Sequence, residues 1–237
     1  MNESKSGRVL LPGDKLPILH DVSKINKVVV GPGIGCLSTH CQSEVAAKLT
    51  YRSPNIYYMS GFGNRYEPVR GDNVIGVVMN KSTDNFRIEI NSYEQVSLDY
   101  LAFEGVTKKN RPDLDVGDLV YARILSSGPM YEAEVVCVDA VGKQRRMGKL
   151  PDGGYVFDCL LSTCQLILNK ECTFLSELTK HFTFEIAVGL NGRIWVKSKY
   201  PKDTMAIVNA ILSFQYMPED MFKDLCQSAS DSAFGYD

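Results

Sequence analysis

The chain lacks any run of about 18 apolar residues, the length a membrane-crossing helix needs, so no bilayer span is expected. Its opening stretch, MNESKSGRVLLPGD, has an apolar core too short for a secretory signal. An excess of positive charge is also missing. Over 237 residues the formal net charge is -2, which argues against a nucleic-acid binder that works alone. A local basic patch, on a surface mostly shared with protein partners, remains compatible with that balance. Histidine is scarce: His20, His40 and His181 fall in three separate segments. The seven cysteines are odd in number and follow no paired CxxC spacing, which argues against a disulfide framework and points to a reducing compartment. Cys36, His40 and Cys41, or Cys159, Cys164 and Cys172, come nearest to half of a zinc site. Burial as small core side chains accounts for them, and neither a metal nor a cofactor is expected.

What the chain does have is punctuation. Up to about residue 67, Gly and Pro interrupt short β-branched runs at Arg8 to Leu11 and Lys27 to Val30, so residues 1–67 read as a small all-β domain. Gly31-Pro32-Gly33-Ile34-Gly35 has the glycines of a phosphate loop without its Gly-Lys-Ser/Thr ending, and reads as a hairpin turn. Residues 68–149 carry five strand-like runs: Asn73 to Asn80, Phe86 to Ile90, Gln95 to Tyr100, Asp118 to Leu125 and Met130 to Val138. The longest connection follows the third. That is the shape of an OB-fold barrel, which binds oligonucleotides on one sheet face and its rim loops. Phe86, Ile88 and Ile90 are in phase, as are Val96, Leu98 and Tyr100, so these aromatics read as core and not as base-stacking platforms.

The long connection holds Lys108, Lys109 and Arg111 within four residues, and Pro112 bars Arg111 from the helical region. Displayed together from an extended loop, these cations make a phosphate-contacting rim. Taken alone they are a solvated loop, and it is the barrel around them that favours the first reading. Lys143, Arg145 and Arg146, with Lys149, form a weaker cluster in a glycine-bounded linker, open to an RNA path, to solvent or to a partner. Asp113, Asp115 and Asp118 suggest a metal-dependent nuclease, but turn and strand-entry roles explain them and no third element supplies a matching acid. No catalytic residue is assigned.

Residues 150–237 are α+β. A strand (Tyr155 to Leu160), two helices (Leu161 to Asn169 and Phe174 to Phe182, with Leu175, Leu178 and Phe182 on one face), two strands (Phe182 to Val188 and Arg193 to Lys197) and an amphipathic helix (Lys202 to Tyr216, through Met205, Val208, Ile211 and Leu212) follow in turn. That is the order of a type I KH domain. Its nucleotide clamp is a GxxG loop between the helices, whereas here that junction, Asn169 to Thr173, has no glycine. Gly189-Leu190-Asn191-Gly192 lies between strands instead and reads as a structural hairpin turn with positive φ at Asn-Gly. Pro218 opens a further helix, and SASDSAFGYD reads as a mobile polar tail.

The fold class is therefore mostly β plus α+β: an N-terminal β domain, an S1-type OB-fold barrel and a C-terminal type I KH-like domain. With its Leu11-Pro12-Gly13-Asp14, Gly31-Pro32-Gly33, Arg65-Tyr66-x-Pro68-Val69-x-Gly71-Asp72-x-Val74-Ile75-Gly76, Ser97-Leu98-x-Tyr100-Leu101-x-Phe103-Glu104-Gly105, Val116-Gly117-Asp118-Leu119 and Gly189-x-Asn191-Gly192-Arg193-Ile194-Trp195-Val196-Lys197 segments, the chain resembles the cap subunits of the eukaryotic RNA exosome. The resemblance implies a non-catalytic protein that sits with two other cap subunits on a ring of RNase PH-like subunits and guides single-stranded RNA into the central channel, in nucleus, nucleolus and cytoplasm. It implies no membrane and no DNA. It places Lys108, Lys109 and Arg111 at the pore and has Gly189, Asn191 and Gly192 packing between domains. The rivals are a free-standing S1/KH RNA-binding regulator, which would be basic and bind without partners, and the nuclease weighed above.

Overall fold

The computed structural model describes residues 9–16, 29–31, 33–37, 40–53, 55–61, 65–107, 110, 112–128, 131–139, 141–217 and 221–234. The chain divides into two compact units, Met1–Gly63 and Asn64–Asp237.

In the first unit, β1 (Val9–Leu10), β2 (Val29–Val30), β5 (Ala47–Arg52) and β6 (Ile56–Gly61) make a sheet in the order β1-β5-β6-β2, while β3 (Ile34–Cys36) and β4 (Cys41–Ser43) pair as a separate hairpin. Period-two alternation buries Ala47 and Leu49 from β5 with Tyr57 and Met59 from β6, and Leu10, Leu16 and Ile34 complete the core. The glycine segment at 31–35 is not a hairpin turn. Gly31 extends the parallel β2–β6 pairing through its N–H to Tyr57 O (2.7 Å), and Gly33, at φ +82°, turns the chain out of that sheet into the next. Cys36 and Cys41, expected as buried thiols, are instead joined by a disulfide across β3 and β4, with Cys36 exposed. His20 and residues 62–64 lie outside the described residues.

The second unit begins with a closed barrel. β7 (Asn73–Lys81), β8 (Asn85–Glu89), β9 (Val96–Asp99), β10 (Leu119–Gly128) and β11 (Tyr131–Val136) join in the circular order β7-β8-β9-β11-β10, with β9 and β11 parallel and every other pair antiparallel. Closure removes both sheet edges and matches the expected OB topology. Burial alternates along each strand: Phe86 and Ile88, Val96 and Leu98, and Val120, Ala122 and Ile124 point inward, and Ile90 and Tyr100 continue the same faces. At the entry to β7, the buried Tyr66 donates its hydroxyl to Asp72 Oδ2 (2.9 Å), while Gly71 N–H donates to Ile124 O (2.9 Å) and Ile124 N–H to Asp72 O (2.8 Å). Burial raises the carboxyl of Asp72 above its usual range, partly offset by that hydroxyl. One expectation fails here: residues 143–149 are not a linker, because β12 (Gly148–Lys149) pairs with the start of β10, at Val120 and Tyr121, ahead of the residues that pair with β11.

The remainder is β13 (Tyr155–Asp158), α1 (Leu161–Leu168), α2 (Phe174–Leu178), β14 (Phe184–Val188), β15 (Arg193–Ser198), α3 (Pro201–Phe214) and α4 (Phe222–Phe234). The antiparallel sheet β13-β15-β14 is covered by helices over a core of Phe174, Leu178, Phe182, Ile194, Ile207 and Ile211. Pro201 starts α3 because its fixed φ suits the first helical position. The buried face of α3 runs through Thr204, Ile207, Val208, Ile211 and Phe214, and Met205, expected inside, is 46% exposed. Thr204 can be buried because its hydroxyl donates to Tyr200 O (3.3 Å) and accepts from Ser198 N–H (3.2 Å). On α2 the buried face uses Phe174 where Leu175 was expected. The supposed polar tail is helical as far as Phe234, with Cys226 buried and Ala229 and Ala233 packed on the core; Pro218 lies outside the described residues.

Candidate nucleic-acid interface

The hairpin between β14 and β15 presses its tip against the barrel. Leu190 N–H donates to Asn73 O at 2.8 Å. The side chain of Asn191, 1% exposed, accepts from Ile75 N–H (3.2 Å) and donates through Nδ2 to Ile75 O (2.8 Å) and Ile90 O (3.0 Å). Asn191 thus pairs backbone groups of two barrel segments as a strand would. Gly189 permits the approach, since a Cβ there would lie 2.9 Å from Ile75 N. Positive φ occurs at Gly192 (+82°) and not at Asn191, so the asparagine is present for its amide and not for its backbone. Arg193 adds a second tie: Nη1 donates to Glu89 O (3.0 Å), Nη2 pairs with Glu89 Oε2 (2.5 Å) and Nε reaches Asp158 Oδ1 (3.3 Å). Trp195, Ile75 and Leu150 are buried together beside these polar contacts. Barrel and KH half therefore share one seam. Gly192→Ala should cost about 2 kcal/mol, because a Cβ-bearing residue is strained in the left-handed region and its Cβ would meet Cys159 O at 2.9 Å. An unchanged melting temperature would remove that claim.

Lys108, Lys109 and Arg111 lie outside the described residues. The ends of their segment are fixed. Val106 packs on the barrel core, Leu114 is 1% exposed, and Thr107 and Asn110 exchange backbone hydrogen bonds (3.3 and 3.1 Å). The 139–147 turn borders the same connection through Gln144 N–H to Glu104 Oε2 (2.5 Å). On that turn Lys143, Arg145 and Arg146 are exposed. Arg145 pairs with Asp139 (2.8 Å), whose carboxyl is held below its usual range first by the Lys143 N–H. Among the described residues no ion pair engages Lys143 or Arg146, whereas Lys149 is paired with Asp118 (2.7 Å).

Asp115 and Asp118 serve the fold, and Asp113 is exposed. Asp118 accepts the Asp115 N–H (2.8 Å) and the Lys149 ammonium, the two contacts that lower its carboxyl, and Asp115 pairs with Lys81 (3.3 Å). At the α1–α2 junction Asn169 Oδ1 accepts from Glu171 N–H (3.2 Å), a local asparagine turn in place of a glycine clamp.

A closed five-strand barrel joined to an antiparallel βααββα half defines an S1–KH protein. The family models agree: residues 66–148 match "Exosome complex component RRP40, S1 domain", and residues 154–202 match a KH domain. The chain is 36% identical over 228 residues to exosome complex component RRP40 of Drosophila melanogaster, covering 96% of this chain and 98% of that one. The Saccharomyces cerevisiae protein of the same name is 35% identical over 228 residues (92% and 93% covered), and the human one 34% over 212 residues (87% and 77%). A crystal structure described as an exosome complex RNA-binding protein superposes with TM-score 0.57 at 21% identity, covering 71% of this chain and 97% of that one, a likeness of fold. The chain belongs to the exosome complex component RRP40 family.

Proposed function

We propose that this chain is a non-catalytic cap subunit of the RNA exosome, seated with two other cap subunits on an RNase PH-like ring, where it leads single-stranded RNA toward the central channel. Lys108, Lys109 and Arg111 hold the phosphates with little base discrimination, and Lys143, Arg145 and Arg146 extend the path. The protein works in the nucleus and nucleolus and also in the cytoplasm. The observation that carries the reading is the asymmetry between the halves. The KH half has an asparagine turn where the clamp would be and gives its hairpin to the barrel, while the barrel's longest connection bears three cations between core-anchored ends. Such a protein gains RNA affinity chiefly from the assembly around it.

Two measurements test this. Gel filtration of the chain with and without ring subunits should show it entering the larger particle; a chain that stays alone and binds RNA tightly is the free-standing regulator. In the assembled particle, replacing Lys108, Lys109 and Arg111 together by Ala should reduce the slope of log K against log salt by about 2, at about 0.7 per lost single-strand phosphate contact. An unchanged slope would place the RNA elsewhere.

A further inference from the structure

The Cys159 and Cys164 sulfurs lie 3.3 Å apart, one at the end of β13 and the other in α1. Both are free thiols, and among the described residues no other pair of free cysteines is in sulfur contact. Cys164 is fully buried and Cys159 half-buried, so the pair has one closed side and one side open to small solutes. The corner is held rigidly. Cys159 N–H donates to Gly192 O (2.7 Å), and the neighbouring Gly192 backbone also helps to lower the Cys164 thiol. The two sulfurs share a hydrogen bond, a contact that lowers the Cys164 thiol and raises that of Cys159, so the pair gives up one proton more readily than an isolated buried thiol. Cys137 and Cys226 lack such a partner, and burial pushes their thiols up to about 12 and about 11.

We infer that Cys159 and Cys164 form an oxidisable dithiol, a modification site that peroxide converts to a reversible disulfide at the foot of the hairpin joining the two halves. Once the pair has lost one proton, the remaining proton crosses the 3.3 Å contact to Cys164 and the half-buried Cys159 sulfur, now a thiolate, attacks hydrogen peroxide; an S–O bond forms, the O–O bond breaks and hydroxide leaves. Cys164 then attacks the sulfenic sulfur, its proton leaving with the departing hydroxyl as water, and the S–S bond closes. Two thiols are oxidised by two electrons and one peroxide is reduced to two waters. Closing from 3.3 Å to about 2.05 Å needs only a small movement, because the β13–α1 corner already holds the sulfurs in contact. Because Cys159 N–H is bonded to Gly192 O, closure of the pair is felt at the turn that carries Asn191.

The test uses the full chain and mass spectrometry. Lys149 and Lys170 bound a tryptic fragment that holds both residues and no other cysteine, separate from Cys36 and Cys41. After brief native peroxide treatment, the 150–170 fragment should resist alkylation, be lighter by two hydrogens and recover both thiols with dithiothreitol. Cys172, half-buried but without a sulfur neighbour, should react at least tenfold more slowly. Cys164→Ser should stop at a Cys159 sulfenic acid trapped by dimedone. Should that variant fail to fold, phenylarsine oxide on the unmodified chain serves instead, expected as one arsenic bridging both sulfurs of the fragment with release of water. Oxidation of the pair no faster than Cys172, irreversible sulfinic acid as the main product, or no bridging arsenic would overturn the assignment.

Discussion

Replacing Asn191 by Ala lowers the stability of the 64–237 unit by about 3–9 kcal/mol, since three buried backbone groups each lose a partner at about 1–3 kcal/mol apiece. The Ile75 N–H, the Ile75 carbonyl and the Ile90 carbonyl all meet this one side chain, and burial at 1% leaves no room for water to replace it. Against a domain stability of about 5–15 kcal/mol, that loss is a large share of the whole. Asn191→Asp separates amide from shape. It keeps an oxygen for the Ile75 N–H but sets a carboxylate against two carbonyls, so it should cost at least as much as Ala. The chain supplies its own reporter: its single tryptophan, Trp195, is 3% exposed in the cluster with Ile75 and Leu150. Urea unfolding followed by Trp195 fluorescence should show the midpoint falling sharply in both variants. A loss below about 1 kcal/mol would mean that the seam is held by Trp195 packing and the Arg193 contacts, and that the amide is incidental.

The barrel was legible in the sequence because half-buried strands announce themselves by alternation, as Phe86 with Ile88 and Val120 with Ala122 do. The KH order was legible for the same reason, and so was its missing clamp, since a glycine is either written at Asn169 to Thr173 or it is not. The seam was only half visible. Asn191 next to Gly192 carries a strong local hairpin signal, and that signal accounts for the residue so well that nothing points to partners 116 and 101 positions away. Arg193 was passed over because nothing local distinguishes an arginine facing Glu89 from one in solvent. On α3 Val208 and Ile211 were placed correctly and only the first core position was missed, Met205 being the more apolar choice, because whether Thr204 can be buried depends on the Tyr200 carbonyl four residues back. The start of α4 was legible after Pro218, but sparse patterning hid its continuation from Ser228 to Phe234, which is mostly serine, alanine and charge while a few side chains do the packing. The two-residue β12 is too short to have a period at all.

That reading of α4 leads to the other large effect, Phe174→Ala. Phe174 is fully buried, stacked on Phe214 with ring centroids 4.3 Å apart and edge-on to Phe222 at 5.8 Å, while Phe214 and Phe222 lie 4.8 Å from each other. One ring from each of α2, α3 and α4 meets the other two. Phe→Ala in a core costs about 3–5 kcal/mol, and aromatic contacts add about 0.5–1.5 kcal/mol per pair, so the upper end of the core range is expected. Phe174→Leu, which keeps most of the volume but not the ring contacts, should cost less than half as much. The damage should be local at first. Among the described side chains of α4, Phe222 and Cys226 are buried, and Leu225, Ala229 and Ala233 pack beside them on the same core. Native-state hydrogen exchange should therefore show α4 amides losing protection well before those of β7 and β10, which are held by the closed barrel. If α4, β7 and β10 lose protection together, the aromatic triad stabilises the whole 64–237 unit as one cooperative body, and α4 is no more separable from the barrel than Asn191 is.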